Sequence, residues 1–237
     1  MNLFRNKKVM VVVAHPDDEL LGLGGSMHRL INQFGVITQV LILGSGISSR
    51  YYQGDNSKLE GELLIHRKNI KEAQIQIGYH NISTYQLPDN RFDTYSLLDL
   101  IKIIEKEKKI FEPDIIFTHN GGDINVDHQK TFEAVMTACR PMAAESVQSI
   151  FSFETPSSTE WHSPSDPRHF VPNFFIEISE EDLFAKVKGL NCYVNEIRDY
   201  PHPRSAAALK IIAQRWGISI GVEYAEAFCI VRNIIRL

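Results

Sequence analysis

Cysteine is scarce in this chain. Cys139, Cys192 and Cys229 are the only three among 237 residues, an odd number with no pair at Cys-x-x-Cys spacing. That argues against a disulfide framework and against a thiolate zinc site, and each reads as a small core or surface residue. Long apolar runs are also missing: none approaches the roughly 18 residues that a membrane-spanning helix needs. The polar start, Met1 to Lys8, has neither the apolar segment nor the small-residue cleavage site of a signal peptide, so a cytoplasmic protein is expected. There is no excess of positive charge. The formal net charge of −4 weighs against a nucleic-acid partner, because the chain exerts no global pull on phosphate. Internal repeats, low-complexity tracts and domain boundaries are absent as well. What remains is a 43% hydrophobic composition, ample for one packed domain over residues 1–237.

The first half alternates strand and helix signals. Val9 to Ala14 reads as a fully buried strand, followed by a helix from about Glu19 to Phe34 that stops at Gly35. Val36 to Leu43 is a second strand, and a Gly- and Ser-rich loop runs from Gly44 to about Lys58. A helix over Glu60–Ile77, a strand over Ile82–Leu87, a turn at Pro88-Asp89-Asn90, a helix over Leu97–Lys108 and a strand over Asp114–Thr118 follow. Further on, Ser152 to Asp166 reads as a long loop around Trp161, and the next helix after His119 begins near Gln129. Asn173–Ile178 and Glu223–Arg232 read as strands, with helices near Glu180–Cys192 and Ser205–Gln214. Strands separated by helices at these distances predict βαβ units: an α/β fold with a mainly parallel sheet flanked by helices.

The chemistry concentrates in Ala14-His15-Pro16-Asp17-Asp18-Glu19, directly after the first strand. His15 and Asp18 lie three residues apart, so a tight strand-to-helix turn can aim both at one metal ion. Asp17 then stands beside that ion, where hydrolysis uses a general base. A third ligand is sought in His119-Asn120-Gly121-Gly122-Asp123-Ile124-Asn125-Val126-Asp127-His128, with His128 in the first turn of the following helix. Two nitrogens and one carboxylate leave a coordination position open, which separates a catalytic zinc from a structural one. Each residue also has a plainer reading. Asp17 can cap the helix, Glu19 can be a first-turn acid, His119 can support a ligand from behind, and Asp123 can be a turn residue. His28, His66, His80, His162 and His169 read as surface or packing residues. The glycines of Leu21-Gly22-Leu23-Gly24-Gly25 lack Gly-x-Gly-x-x-Gly spacing and read as a close-packing face of the first helix, not as a dinucleotide site.

On these motifs the chain resembles the LmbE-like (PIG-L) family of zinc-dependent N-deacetylases. The resemblance rests on Ala-His-Pro-Asp-Asp-Glu at 14–19 and Asp-x-Asn-x-Asp-His at 123–128, and covers nearly the whole chain. Arg67 with Glu72 and Ile77-Gly78, Leu87-Pro88-Asp89, and Tyr224-Ala225-Glu226-Ala227-Phe228 add to it. It implies a Rossmann-like fold that hydrolyses N-acetyl groups of amino sugars or their conjugates. It implies that His15, Asp18 and His128 hold zinc, or another divalent metal, and that Asp17 is the general base. Asp127 would be a carboxylate orienting a histidine or the site water. Arg67 and Asp89 would contact the sugar, with His202 of the Tyr200–Arg204 segment assisting. Many members carry His-x-Asp-His, whereas this chain has Asn125 at the first of those positions. An asparagine amide can donate to an oxyanion but carries no proton to give up, so Asp17 is the first candidate to return the proton to the leaving amine, with His119 or His202 as the alternatives.

The expected substrate is an N-acetylated amino sugar, free or linked to a nucleotide, lipid or thiol. Tyr51, Tyr52, Arg50, Trp161 and Arg168 are candidates to stack on it or bind it. Two rival readings stand beside this one: a metal hydrolase of another amide or acyl group, and a nucleotide-sugar-binding module whose metal is structural or absent. A role as a partner subunit, or in an oligomer, is also open.

Overall fold

The computed structural model describes residues 3–48 and 56–235. In chain order the regular elements are β1 (Lys8–Val13), α1 (Asp18–Phe34), β2 (Ile37–Gly44), α2 (Asn56–Ile77), β3 (Asn81–Leu87), α3 (Leu97–Phe111), β4 (Ile115–His119), α4 (Val126–Ala138), β5 (Ser149–Phe153), β6 (Phe174–Ile178), α5 (Glu180–Cys192), α6 (Ala206–Ile220) and β7 (Tyr224–Asn233). The seven strands form one sheet in the order β3-β2-β1-β4-β5-β7-β6. β1 pairs in parallel with β2 and β4, and only β7 runs antiparallel to its neighbours β5 and β6. The expected α/β architecture with a mainly parallel sheet is therefore what the chain adopts.

The alternation of side chains along β1 explains why its sequence is apolar throughout. Val9, Val11 and Val13 point into a core shared with α1, α5 and β5, while Met10, Val12 and Ala14 pack into a second core with α3 and α4. A central parallel strand buried on both faces has no polar position to offer until it ends. Among the described residues no helix is long and apolar enough to cross a membrane.

Several boundaries differ from the sequence reading, and four matter to the site or its supports. Ser152 and Phe153 lie in β5 and not in a loop: the serines at 149 and 152 disguise a strand whose five residues are all buried. α2 begins at Asn56, inside the stretch assigned to the Gly44–Lys58 loop. α4 begins at Val126, ahead of Gln129, because the Asn125 side chain accepts from the Asp127 N–H and caps it. α6 continues past Gln214 to Ile220 and stops at Gly221, whose φ of 77° suits glycine.

One buried ion pair shapes the helix that leads out of the site. α1 is broken at Leu23 (φ −152°, ψ 19°). At that break the Lys186 ammonium donates to the Leu21 carbonyl at 2.9 Å, while the Glu226 carboxylate accepts from the N–H groups of Gly25 and Ser26 at 3.2 and 2.7 Å. Lys186 and Glu226 also pair directly at 2.5 Å. Together they satisfy backbone groups that the kink strips of their helical partners. Gly22 sits against Phe153, where a Cβ would lie 2.2 Å from the ring, so α1 reaches the sheet only as glycine there. Removing one partner of a buried pair leaves an uncompensated charge, so Glu226→Ala is expected to lose about 3–5 kcal/mol of stability. Denaturant unfolding checks this; a loss below about 1 kcal/mol, the scale of an exposed pair, would contradict it.

Candidate metal centre and active site

The carboxyl ends of β1 and β4 lie side by side, where the strand order reverses direction and ligands of open α/β sheets bind. At the end of β1 the chain turns through Ala14, His15 and Pro16 into α1. Asp18 closes that turn: its Oδ2 accepts from the His15 N–H at 2.8 Å. The same oxygen lies 3.5 Å from His15 Nδ1 and 3.4 Å from His128 Nε2. One ligand atom each from His15, Asp18 and His128 lies within 4.8 Å of the others, and all three residues are buried. Asp18 Oδ1 is buried with no hydrogen-bond partner among the described residues.

A second trio within the same reach is His15, Asp89 and Asp127. Asp127, however, already accepts from the N–H groups of Asn90 and Phe92 at 2.6 and 2.9 Å and contacts His15 Nε2 at 2.8 Å. Asp89 Oδ1 lies 2.8 Å from that same Nε2. With Nε2 held by carboxylates, His15 turns Nδ1 toward Asp18. The orphaned carboxylate oxygen and two imidazoles therefore favour the first trio, an N,N,O donor set that suits zinc.

His128 is oriented from behind. Its Nδ1 lies 3.2 Å from Asp123 Oδ2, and Asp123 in turn accepts from Ser158, from Thr159 Oγ1 at 2.5 Å and from the Asn125 N–H at 2.8 Å. His119 stacks on the His128 ring with centroids 3.9 Å apart and planes 8° from parallel. His119 is not free to ligate through Nε2, which accepts from the Ala14 N–H at 2.9 Å, while its Nδ1 meets Thr155 Oγ1 at 3.1 Å. Burial, aided by the neighbouring His128 charge, lowers the His119 pKa to about 3 and keeps that ring neutral. The pKa of His128, by contrast, rises to about 9: burial opposes its charge, but Asp18 and Asp123 outweigh burial. The cluster carries more carboxylate than cation and so attracts positive charge.

Asp17 departs from its plain reading. It occupies the cap position of α1, yet its side chain makes no capping hydrogen bond, and its backbone is left-handed at φ 94°. A non-glycine residue there costs on the order of 1–3 kcal/mol. Its Oδ2 accepts instead from Arg204 Nη1 at 3.0 Å. Its N–H donates to Glu19 Oε2 at 3.0 Å, and Glu19 is further held by the Tyr193 hydroxyl at 2.8 Å. Burial pushes the Asp17 carboxyl well above the usual range; Arg204 pulls against that, and Asp18, Glu196 and Glu19 add to it. Burial likewise brings the Glu19 pKa up to about 7. His15 and Asp17 share with Asp89, Asn90, Asn125, Glu196 and Arg204 the wall of a cavity of about 230 Å³. Because Asn125 spends its Oδ1 on the cap of α4, its Nδ2 donor is the end left to face outward, 3.5 Å from Asn90 Oδ1.

The family model described as GlcNAc-PI de-N-acetylase (PIG-L) matches residues 10–139, more than half of the chain and all of the residues just described up to the end of α4. The chain belongs to the PIG-L (LmbE-like) family. It is 28% identical over 191 residues, 78% of this chain and 90% of the relative, to the uncharacterized deacetylase YaiS of Escherichia coli K12. In fold it is similar to the N,N'-diacetylchitobiose deacetylase of Pyrococcus horikoshii, with a TM-score of 0.71, 22% identity, and 95% and 84% of the two chains covered. It is equally similar to GalB, the 4-carboxy-2-hydroxymuconate hydratase of Pseudomonas putida KT2440, with a TM-score of 0.74, 17% identity and 98% of each chain covered. One fold thus carries a deacetylase and a hydratase, and the chemistry has to be argued from the site.

Of the residues named from the PIG-L resemblance, the structure gathers His15, Asp17, Asp18, Asp89, Asn125, Asp127 and His128 around one point. Arg67 is exposed on α2 and does not line the cavity. His202 does not line it either; its Nδ1 accepts from the Arg204 N–H at 3.1 Å and its ring meets the edge of Trp161. Trp161 is exposed, and Arg168 pairs with Asp166 at 2.9 Å. Arg50, Tyr51 and Tyr52 lie outside the described residues. Sequence reasoning missed Arg204 and Glu196, which reach the site from 187 and 179 residues beyond Asp17 with no local pattern to mark them. Carboxylates that orient ligating histidines tune affinity by about 10–100-fold. Asp127→Asn is therefore expected to weaken zinc binding by that factor in calorimetry, and unchanged affinity would contradict the orienting role.

Proposed function

We propose that this chain is a metal-dependent hydrolase that removes the N-acetyl group from an amino sugar or its conjugate, with Asp17 as the general base. The observation that carries this reading is Asp17 itself. It is an aspartate held in strained backbone, excused from capping its own helix, and placed on the wall of the cavity beside the His15–Asp18–His128 trio. The descriptions of YaiS as an uncharacterized deacetylase and of the Pyrococcus relative as a diacetylchitobiose deacetylase favour an acetamide as the bond attacked.

In this reading His15, Asp18 and His128 hold a zinc ion or another divalent metal. When bound, such an ion polarises an acyl oxygen and lowers the pKa of water at neutral pH. The chain's own residues do the rest. The acetamide carbonyl is positioned in the cavity with its oxygen within reach of the Asn125 amide, which donates to the oxygen as negative charge develops there. Asp17, whose raised pKa suits a group that both takes and returns a proton near neutrality, accepts one from the attacking water. It then delivers that proton to the amide nitrogen as the carbon–nitrogen bond breaks, leaving acetate and a free amine. Asp127 and Asp123 keep the two histidines from rotating during turnover.

Two substitutions test the assignment. Asp17→Asn is expected to keep its metal and to lose about 10²–10⁴ in kcat, the range of a general acid–base contribution; full turnover would remove Asp17 from the role. Asn125→Asp preserves the helix cap, since the two side chains cap equally well, but removes the donor. It is expected to lose at least about 100-fold in kcat with an unchanged melting temperature. Retained kcat would show that the oxyanion is stabilised elsewhere.

A further inference from the structure

Arg204 reaches the cavity from the segment between α5 and α6 and is the residue that actually holds the Asp17 carboxylate. Its Nη1 donates to Asp17 Oδ2 at 3.0 Å and to Glu196 Oε2 at 2.9 Å, and its Nε donates to Ser157 Oγ at 2.7 Å. The guanidinium is thereby fixed along both of its edges. Ser157, the acceptor at its far side, is also a non-glycine residue in the left-handed region, at φ 74°. Two strained residues far apart in the chain are thus joined through one guanidinium, Asp17 at one end and Ser157 at the other. Backbone strain of this sort persists only where surrounding contacts over-determine it. Asp17 has no capping bond to fix its side chain, so the contact with Arg204 decides which way its carboxylate faces.

We propose that Arg204 is the positioning residue for the base: it binds one oxygen of Asp17 and so presents the other to the water that is to be deprotonated. This rests on Asp17 being the base. A planar fork anchored at Nε and Nη1 sets direction as well as charge, which a lysine ammonium on a flexible stem does not. Glu196, sharing Nη1, keeps the guanidinium from closing onto Asp17 as a two-oxygen pair that would occupy both carboxylate oxygens. Displacement of a reacting group by about 1 Å costs about 100-fold in rate.

The test is a cycle of Asp17→Asn and Arg204→Ala, with kcat, KM, zinc content and denaturant stability measured for each variant. Arg204→Ala is expected to lower kcat about 100-fold with KM and zinc content little changed. Added guanidinium ion is expected to restore part of that kcat and to leave the unsubstituted chain unaffected. In the Asp17→Asn background, Arg204→Ala should cost nothing further, because residues that act as a unit are not additive. Undiminished kcat in Arg204→Ala, or an equal loss with and without Asp17, would overturn the proposal. So would loss of zinc together with no rescue. If Arg204→Ala does not fold, Arg204→Gln carries the same cycle. If the unsubstituted chain releases no acetate, the function reading fails by itself; the stability cycle then still tests the contact, and additive stabilities would overturn it.

Discussion

The site depends on the single turn by which β1 becomes α1. Asp18 Oδ2 accepts the His15 N–H, and that one bond bends the chain so that both side chains face the end of β4. It also forces Asp17, caught between them, into left-handed backbone and out of its ordinary duty as a cap. Pro16 contributes by offering no N–H that would have to be satisfied inside the turn. The carboxyl end of a strand buried from Val9 to Val13 thereby carries a cluster of buried polar side chains.

What stabilises this arrangement lies elsewhere. Behind His128 stand Asp123, Ser158 and Thr159; behind His15 stand Asp127 and the backbone of Asn90 and Phe92; behind Asp17 stands Arg204, itself seated on Ser157. The Lys186–Glu226 pair anchors α1 at its kink and so fixes the helix whose first residue is Asp18. Each of these groups is held by a second one behind or beside it. That is the organisation expected where positions must be kept to a fraction of an ångström.

The fold, and the gathering of His15, Asp18 and His128 at one point, were legible in the sequence because both are written locally. A buried run of Val-Met-Val-Val-Val has to be a central strand, and His-Pro-Asp-Asp directly after it has to lie at a sheet edge. His128 was legible from the polar loop that follows the β4 segment. β5 was not, since buried serines within Ser-Ile-Phe-Ser-Phe imitate a loop composition. Arg204 and Glu196 were not, because their meaning lies in a pairing with Asp17 that only the packed fold creates. Asn125 was read as an oxyanion donor without sight of its second role. By capping α4 with its oxygen it also leaves its amide nitrogen as the end that faces outward.

The measurement that tests the central claim most directly is acetate and free-amine release from N-acetylglucosamine and N,N'-diacetylchitobiose by the chelated chain, titrated back with zinc. No release is expected after chelation, and release that rises to a plateau at one zinc per chain is expected on titration, with one amine freed per acetate. Full release from the metal-free chain would contradict it, as would a chain that binds one zinc through His15, Asp18 and His128 yet frees no acetate from any N-acetylated amino sugar.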